Sequence, residues 1–577
     1  MKKKFYLSFL LFWCLLTNAQ KHITTYEKSG GKETATYFET INFYEQLAAS
    51  YRNIQIRTFD TTDAGYPLHL VMFSTEKDLD WSKTDKQDKI VILINNGIHP
   101  GEPDGIDASM MLLRDYVTGK LKLPANIALA FIPIYNIGGA LNRNQFSRAN
   151  QNGPASFGFR GNAQNLDLNR DFTKSDSKDA RAFASIFHFL DPDILVDNHV
   201  SDGADYQYTM TLLTTQHNKL GGELGTFLHN DFEPALFKSM DLKKWPMTPY
   251  VNFEESSPEK GMTAFYDPPR YSSGYAALFQ TIAFMPETHM LKPFKYRVTS
   301  TYALMQTIIE EASKSAQKLK MARRAAINSV TTGKTLPLGW KPDSTRFETI
   351  RFKGYEAQSK TSDVTGLPRL YYDHSKPFEK DVKFFNSFLP EKNITIPQAY
   401  ILPRGWNEVA QNLKRNGVRM HELKRDTLIE VECYHIESYK SMPRPYEKHH
   451  RNSDVVVSTK KEKLRFLKGD YLIYCNQRAN RYLVEMLEPT GDDSFFAWNF
   501  FDAILQQKEG YSDYRWEDLA ASYLATKPAL KKQLEEKRRA DPTFAASSSA
   551  QLNFIYRNSP YYEPEHMRYP VFRLPLK

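Results

Sequence analysis

Three short apolar runs in the first 300 residues each lead into side chains that can bind a metal or transfer a proton. The predicted strands and the side chains at their ends are 90–94 with His99 and Glu102, 193–199 with His199, and 282–287 with Glu287. Unbroken runs rich in β-branched residues are typical of strands buried on both faces of a largely parallel sheet. Such sheets place their sites in the crevice beyond the carboxyl ends of the strands. The sequence therefore predicts that these side chains converge at one edge of an α/β sheet.

The surrounding pattern supports a mixed, largely parallel sheet with helices on both faces. Short apolar runs alternate with amphipathic stretches from residue 37 to about 320, as in an α/β layer fold. Further elements are predicted at 106–117 (helix), 128–134 (strand) and 300–325 (helix). The Gly- and Asn-rich stretch 136–169 is too long for a simple connection, which favours a functional loop.

The remainder of the chain has a different character. We place a catalytic domain at 20–330, a linker at 331–334 and a β-rich accessory domain over 331–577. Strands are expected at 398–402 and 428–434, a hairpin around Gly469-Asp470 between residues 464 and 474, and a charged helix near 527–539.

The first nineteen residues have the pattern of a secretory signal peptide. Three lysines precede an apolar stretch, 5–16, and a small-residue exit follows. The stretch is shorter than the roughly 20 residues of a spanning helix, and no later run is long enough. We therefore expect a secreted or periplasmic protein without a membrane span. After removal of this segment two cysteines remain, Cys433 and Cys475, and whether they pair stays open.

The charge does not indicate a nucleic-acid partner. The net charge of +9 is spread over 577 residues. The basic runs at 460–463 and 537–539 have glutamates within or beside them, which is typical of solvated faces.

Two histidines and one carboxylate with an open fourth position form the arrangement of catalytic zinc sites. The spacing of His99 and Glu102 lets a strand-to-helix turn direct both side chains at one ion. A second carboxylate is needed as general base, and Glu287 is available for that role.

At this point the sequence resembles the zinc metallocarboxypeptidases of the carboxypeptidase A-like family. The family's motifs occur in the same order over residues 36–325: His-Pro-Gly-Glu at 99–102, Asp-Leu-Asn-Arg at 167–170, His199 and Glu287. The resemblance implies that fold, one zinc ion (Zn2+) and a peptide or protein substrate.

The resemblance also implies a role for each matching position. His99, Glu102 and His199 correspond to the zinc ligands, and Glu287 corresponds to the general base. The remaining positions are Asn169 and Arg170 for binding the substrate's terminal carboxylate, Asp167 for orienting His99, Arg148 for the scissile carbonyl, and Tyr271 for the mobile phenol, chosen over Tyr266 and Tyr275.

Two segments depart from the family pattern. Residues 136–139 read Asn-Ile-Gly-Gly where the family usually has Asn-Pro-Asp-Gly, and a polar loop is inserted at 151–165. The insertion either walls off the pocket or opens a groove, so exo- and endo-cleavage both stay open.

The sequence therefore predicts a secreted zinc metallocarboxypeptidase that cleaves C-terminal peptide bonds. One alternative is an amidohydrolase on the same scaffold that acts on cell-wall peptides or N-acyl amino acids. Another is a non-catalytic protein that binds peptide or glycan through the aromatic residues Phe495, Phe496 and Trp498. Side-chain preference and oligomeric state are not determined by these patterns.

Overall fold

The computed structural model describes residues 22–77, 79–82, 88–251, 258 and 261–576. The predicted signal peptide lies outside these residues. Within them, no helix combines the length and the apolar character needed to cross a membrane.

The strands of the described residues are, in chain order, β1 Ile54–Thr61, β2 Pro67–Phe73, β3 Ile90–Asn95, β4 Ile127–Ile132, β5 Ile194–Asp197, β6 His199–Ser201, β7 Met210–Thr214, β8 Met247–Pro249, β9 Met262–Thr263, β10 Ile282–His289, β11 Thr335–Pro342, β12 Glu348–Thr361, β13 Pro368–Phe385, β14 Phe388–Thr395, β15 Ala399–Leu402, β16 His421–Glu422, β17 Thr427–Ser441, β18 Asn452–Phe466, β19 Tyr471–Tyr474 and β20 Phe572–Leu574.

The α-helices of the same ranges are Thr25–Lys28, Tyr37–Ser50, Asp104–Val117, Ile137–Leu141, Lys178–Leu190, His217–Leu220, Gly222–Phe227, Glu233–Leu242, Ser272–Ala277, Phe294–Lys314, Ala316–Ser329, Asn407–Arg415, Asn480–Leu487, Asp513–Ala525, Pro528–Ala540, Pro542–Ala545 and Ser548–Arg557. A π-helical turn at Leu228–Phe232 and 3₁₀ turns at Leu168–Arg170 and Asp502–Leu505 complete them.

A mixed, largely parallel sheet forms the centre of the first part of the chain. Its order is β1-β2-β4-β3-β5-β10-β7-β8, and β6 also pairs with β10. The middle strands β4, β3, β5 and β10 are parallel. β1 and β2 pair antiparallel with their neighbours, whereas β7 pairs antiparallel with β10 and parallel with β8. Every residue of β3 and β4 is buried, because helices cover both faces. The predicted fold class is confirmed.

Two predicted elements are interrupted. The strand expected at 193–199 stops at Asp197 and resumes at His199, because the Asn198 N–H turns to donate to the Asn95 carbonyl. The helix expected at 300–325 is two helices that separate at Ser315, whose hydroxyl donates to the Glu311 carbonyl.

The second part is rich in β-structure and contains two long hairpins, β12/β13 and β17/β18. The first joins β9 in a three-stranded sheet, and the second forms one side of a six-stranded sheet of order β16-β19-β15-β20-β17-β18. A small sheet of β11 and β14 and a helical segment over 513–557 complete this part.

The hairpin predicted around Gly469-Asp470 is wrong. A turn does occur there, and Gly469 has a φ of 93°. However, β18 pairs along its whole length with β17, and β19 lies between β16 and β15. The turn therefore redirects the chain into the sheet interior and does not fold β19 back on β18.

One apolar core joins the two parts of the chain. It contains residues of the central sheet, such as Ile94, together with Tyr400, Leu483 and Phe495 of the second part. Cys433 and Cys475 are buried and free. Phe495, Phe496 and Trp498 are fully buried, so the expectation that they form an aromatic binding surface is wrong. The proposed domain boundary at residue 330 stays a prediction.

Candidate active site

The first two candidate metal ligands lie on the turn that connects β3 to the helix Asp104–Val117. The His99 carbonyl accepts the N–H of Glu102 at 2.8 Å, which closes the turn. Gly97 has a φ of 64°, and a Cβ there would lie 3.2 Å from Ile106. A Cβ at Gly101 would lie 2.8 Å from the Arg148 side chain, which crosses the turn at that point. Local backbone geometry thus directs both side chains to the same side.

Strand pairing brings the third ligand candidate and Glu287 to the same place. Strands β6 and β10 are parallel, with His199 directly opposite Glu287. His199 Nδ1 is 3.1 Å from Glu102 Oε2, and His99 Nδ1 is 3.4 Å from Glu102 Oε1. The two imidazole centroids are 5.0 Å apart. One ligand atom from each of His99, Glu102 and His199 lies within 4.8 Å of the other two.

The donor set fits a zinc ion. Two zinc–ligand bonds of about 2.1 Å at a tetrahedral angle place their donor atoms roughly 3.4 Å apart, close to the separations seen here. His99 Nδ1 is also buried without a hydrogen-bond partner in the described structure, and it faces Glu102. Nitrogen, nitrogen and carboxylate oxygen donors are those of catalytic zinc sites. His99, Glu102 and His199 would therefore hold the ion.

Carboxylates behind the histidines fix the ring orientation. His99 Nε2 is 2.9 Å from Asp167 Oδ1, and His199 Nε2 is 3.1 Å from Asp197 Oδ2. A proton on each Nε2 leaves both Nδ1 atoms with a lone pair that faces Glu102. Burial opposes ionisation of Asp167, but His99 and Arg160 together hold the pKa of this carboxyl well below its usual range.

Arg148 is the cation closest to Glu102. Its Nη1 donates to Glu102 Oε1 at 2.7 Å, and its Nη2 donates to the Val200 carbonyl at 3.0 Å. Burial raises the pKa of Glu102, but the charges of Arg148 and His99 outweigh it and lower the pKa well below the usual value. Glu102 is therefore a carboxylate at neutral pH.

Glu287 has a different environment although it lies beside the same histidine. Burial raises the pKa of its carboxyl to about 8, assisted by the negative charge of Glu102 and opposed by His199. No side-chain hydrogen bond to its carboxyl occurs among the described residues, and the group lines the cavity. The carboxyl of Glu287 therefore binds a proton more tightly than that of Glu102. Such a difference is typical of a site in which one carboxylate binds a metal and the other transfers protons.

Asn169 and Arg170 lie on the 3₁₀ turn Leu168–Arg170, directly after Asp167. Asn169 Oδ1 accepts the N–H of Ser272 at 3.1 Å. The Arg170 guanidinium lies over the Tyr271 ring, 4.2 Å from its centroid, and its Nη1 donates to the Asn169 carbonyl at 2.9 Å. The pair is thereby held against the helix Ser272–Ala277.

A cavity of about 540 Å³ joins these groups. Of the sequence-predicted site residues, those that line it are His99, Glu102, Arg148, Asn169, Arg170, His199, Tyr271 and Glu287. Asp167 lies behind His99 and does not line the cavity. The structure therefore brings the predicted residues together in one place.

Of the three candidate tyrosines, only Tyr271 faces this cavity. Tyr275 donates to Asn416 at 2.6 Å in the core, and the Tyr266 ring packs on Phe388. Tyr250 also lines the cavity, and burial raises the pKa of its phenol. The sequence analysis did not identify Tyr250, because it lies in no motif.

The inserted loop at 151–165 packs against the cleft. The Gln151 side chain donates to the Gly101 carbonyl at 2.9 Å, the Gly158 N–H donates to Pro100 at 3.0 Å, and the Asn152 N–H donates to Met290 at 2.8 Å. Arg160 of the same loop lines the cavity and pairs with Asp167 at 2.9 Å. The loop thus forms part of the wall around the site.

A further carboxylate, Asp267, was missed because Asp-Pro-Pro reads as an ordinary turn. It lines the cavity and is only 4% exposed. Ser273 donates to its Oδ2, while Oδ1 is buried without a partner in the described structure. Burial raises the pKa of this carboxyl to about 6, although Arg170 and His199 lower it in part.

The second part of the chain also reaches the site. Tyr446 Oη accepts from Arg170 Nε at 3.0 Å, and the Glu447 carboxylate accepts the N–H of Asp167 at 2.9 Å. Both residues lie on the segment between β17 and β18. The bond between Arg170 and Tyr446 joins residues 276 positions apart, and nothing in the sequence around either residue indicates it.

Comparison with known proteins agrees with this geometry. Residues 40–190 match the family model described as zinc carboxypeptidase. The chain is 21% identical over 432 residues to carboxypeptidase 2 of Trichophyton rubrum, and 22% identical over 432 residues to that of Trichophyton equinum. Each match covers 70% of this chain and 73% of the relative.

Among solved structures, carboxypeptidase A of Helicoverpa armigera is 14% identical with a TM-score of 0.37, covering 52% of this chain and 79% of the other. By the family match, the relatives and the His-Glu-His cluster, this chain is similar to the zinc metallopeptidases of the carboxypeptidase type.

Proposed function

We propose that this protein is an exported carboxypeptidase that removes residues from the C-terminus of peptides. The observation that carries the proposal is that the His99-Glu102-His199 cluster and Arg170 line the same cavity. A bound zinc ion supplies Lewis-acid activation of water and of the scissile carbonyl.

Glu287 is the proposed general base. Its carboxyl is buried beside His199 and is not engaged in a hydrogen bond with another side chain of the described structure. It takes a proton from the attacking water and delivers that proton to the nitrogen of the leaving amine.

Arg148 is the proposed charge stabiliser on the side of Glu102. Its guanidinium lies in the cavity wall, and one N–H group on each of Nη1 and Nη2 remains besides those bound to Glu102, Val200 and Gln151. A cation fixed in this way stabilises the negative oxygen that develops on the substrate carbonyl. Asp167 supports the same site through His99, because it fixes which ring nitrogen carries the proton.

Asn169 and Arg170 are the proposed binding pair for the substrate's terminal carboxylate. A planar guanidinium binds a carboxylate through two parallel hydrogen bonds. The packing of the 151–165 loop against Gly101 and Met290 supports an enclosed pocket, which favours exopeptidase over endopeptidase action. Tyr271 lies directly below Arg170 and is the proposed phenol of the site.

We infer a preference for a positively charged terminal side chain. Asp267 offers a buried carboxylate, and Leu213, Phe265 and Met285 provide apolar walls in the same cavity. A lysine or arginine side chain combines an aliphatic stem with a charged end, and therefore matches both features.

Paired substrates test the exopeptidase proposal. Peptides with a free C-terminus should be cleaved with a kcat/KM about 10- to 150-fold higher than that of the same peptides with an amidated end, because amidation removes a charge-assisted contact. Arg170→Ala should lose this discrimination. Equal cleavage of both peptides by the wild type would contradict the carboxypeptidase proposal and favour the amidohydrolase alternative.

The organisation and location of the chain are also proposals. We assign catalysis to residues 20–330 and an accessory role to 331–577, and we propose export directed by residues 1–19. N-terminal sequencing of the mature protein from the culture medium or periplasm tests export. A retained Met1 on the active enzyme would contradict it.

A further inference from the structure

The segment that joins β17 to β18, residues 442–451, contacts residues 167–170 at two points and Asp176, shortly after that turn, at a third. Tyr446 accepts from Arg170 at 3.0 Å, Glu447 accepts from the N–H of Asp167 at 2.9 Å, and His449 pairs with Asp176 at 2.8 Å. The segment lies at the end of a hairpin from the second part of the chain. These contacts therefore connect the accessory part to the wall of the catalytic cavity.

The hydrogen-bonding groups of Arg170 are divided between the protein and the cavity. Nε donates to the Tyr446 hydroxyl, and Nη1 donates to the Asn169 carbonyl and lies 3.9 Å from Asp167. The Tyr271 ring lies under the guanidinium plane at 4.2 Å. Among the described residues, no hydrogen bond engages Nη2. The bond from Nε to Tyr446 therefore fixes the rotation of the guanidinium and leaves Nη2 for a ligand.

Tyr446 is held firmly enough to act in this way. Its N–H donates to the His449 carbonyl at 2.8 Å, and the reciprocal bond is 3.0 Å. Its ring is nearly parallel to that of Trp498, with centroids 6.1 Å apart and an interplanar angle of 17°. Trp498 is fully buried. The hydroxyl thus extends from a rigid support, and its position does not depend on a bound substrate.

We propose that Tyr446 is a positioning residue that orients Arg170 for the substrate's terminal carboxylate, so that the accessory part of the chain determines exopeptidase specificity. This inference rests on the proposed function, in which Arg170 binds that carboxylate. Tyr446 does not contact the reacting atoms. It contributes to binding of the substrate's C-terminal carboxylate, and this binding contribution is equal in the ground state and in the transition state.

The expected kinetic signature follows from that uniform contribution. Loss of the hydroxyl in Tyr446→Phe should raise KM for free-acid substrates about 5- to 10-fold while kcat changes less than twofold. The amidated substrates do not engage Arg170 through a charge, so their kcat/KM should not change. A merely structural role of Tyr446 would instead lower stability and affect both classes of substrate equally.

The experiment uses the full zinc-loaded enzyme with benzoyl-glycyl-lysine, benzoyl-glycyl-phenylalanine and their C-terminal amides. Tyr446→Phe is compared with Tyr514→Phe, which removes a hydroxyl from a side chain that is 80% exposed on the helix Asp513–Ala525. Zinc content and the melting temperature are measured for every variant. Calorimetry in the Glu287→Gln background measures binding of the free acid and the amide without turnover.

A double-mutant cycle separates positioning from a direct effect. If Tyr446 acts through Arg170, Tyr446→Phe should have no further effect on the ratio of free-acid to amide activity in the Arg170→Ala background. An unchanged ratio in the single Tyr446→Phe variant, or additive losses in the double variant, would overturn the inference and leave the proposed function intact. If the wild type fails to distinguish acid from amide, the proposed function is wrong and the inference falls with it.

Discussion

The two parts of the chain build the site in different ways. In the first part the central strands β3, β4 and β5 are short and fully buried, and His99 and Glu102 follow directly after β3. In the second part the hairpin strands are 14 to 18 residues long, and most of β13 is exposed. The buried sheet thus positions the proposed ligands and Glu287 through its strand pairing. The long hairpins extend from the core, and the end of β17/β18 contacts residues that are far away in the sequence.

The two hairpins also differ from each other. The end of β17/β18 contacts Arg170 and Asp167, whereas the turn between β12 and β13 is solvated, with Val364 93% exposed. The length of a hairpin therefore does not decide whether it contributes to the site. The contacts that the end of the hairpin makes decide this, and the difference between the two hairpins can be tested by experiment.

The largest expected effect lies in the buried sheet. Glu287→Gln should reduce kcat by about 10²- to 10⁴-fold, because an amide cannot accept and return the proton. Zinc per chain should stay at the wild-type value, since the proposed ligands are His99, Glu102 and His199. Turnover and metal analysis measure both quantities. His199→Ala is the matched control and should lose the metal itself; a fully active Glu287→Gln enzyme would remove the assigned base.

The next effect concerns the interface between the two parts. Glu485 of the second part pairs with Lys219 of the first at 3.2 Å and with Arg481 at 2.8 Å, and all three are buried. Glu485→Ala leaves two buried cations without their partner and should lower the free energy of unfolding by about 3–5 kcal/mol. Denaturant unfolding should show one transition, because a single apolar core spans both parts.

The surface pair Lys532–Glu536 provides the control, because both side chains are more than half exposed. Glu536→Ala should change the free energy of unfolding by less than about 1 kcal/mol. Two separate transitions in the wild type, with only one of them shifted by Glu485→Ala, would show that the parts unfold independently.

How far the sequence predicts this site depends on the kind of contact. The ligand cluster and Glu287 were found because buried strands have a strong local pattern, and parallel pairing carries their ends to one edge. The accessory contacts of Tyr446 were not found, since a tyrosine in a Pro-flanked loop has the same local pattern whether or not it meets a partner 276 positions away. The same limit explains the wrong hairpin at Gly469, where β18 pairs with the strand upstream.

An effect of intermediate size, on substrate preference, is expected when Asp267 is replaced. Asp267→Asn should reduce the preference for lysine or arginine over phenylalanine ends about 10-fold, because a buried carboxylate no longer faces the cation. Since burial raises the pKa of Asp267 to about 6, the wild-type preference should grow as the pH rises through 6, where the group ionises. The ratio of kcat/KM for the two substrates between pH 5 and about 8 measures this. A preference that does not depend on pH in the wild type, or that survives in Asp267→Asn, would assign the selectivity elsewhere.

The smallest effect is expected at the end of the first hairpin. Residues 362–367 form a solvated turn in which the Ser362 hydroxyl accepts the N–H groups of Val364 and Thr365. The large apolar side chains of this turn, Val364 and Leu367, are 93% and 65% exposed. Replacing these six residues with Asn-Gly keeps the pairing of Thr361 with Pro368 and removes only solvated chain. Melting temperature, kcat and the ratio of free-acid to amide activity should therefore stay within error of the wild type. Replacing residues 444–448 with Asn-Gly shortens the other hairpin and removes Tyr446 and Glu447. This change should lower the ratio of free-acid to amide activity several-fold, as is expected for Tyr446→Phe. A change in the ratio on trimming 362–367 would mean that both hairpins act on the site, and the distinction between them would fail.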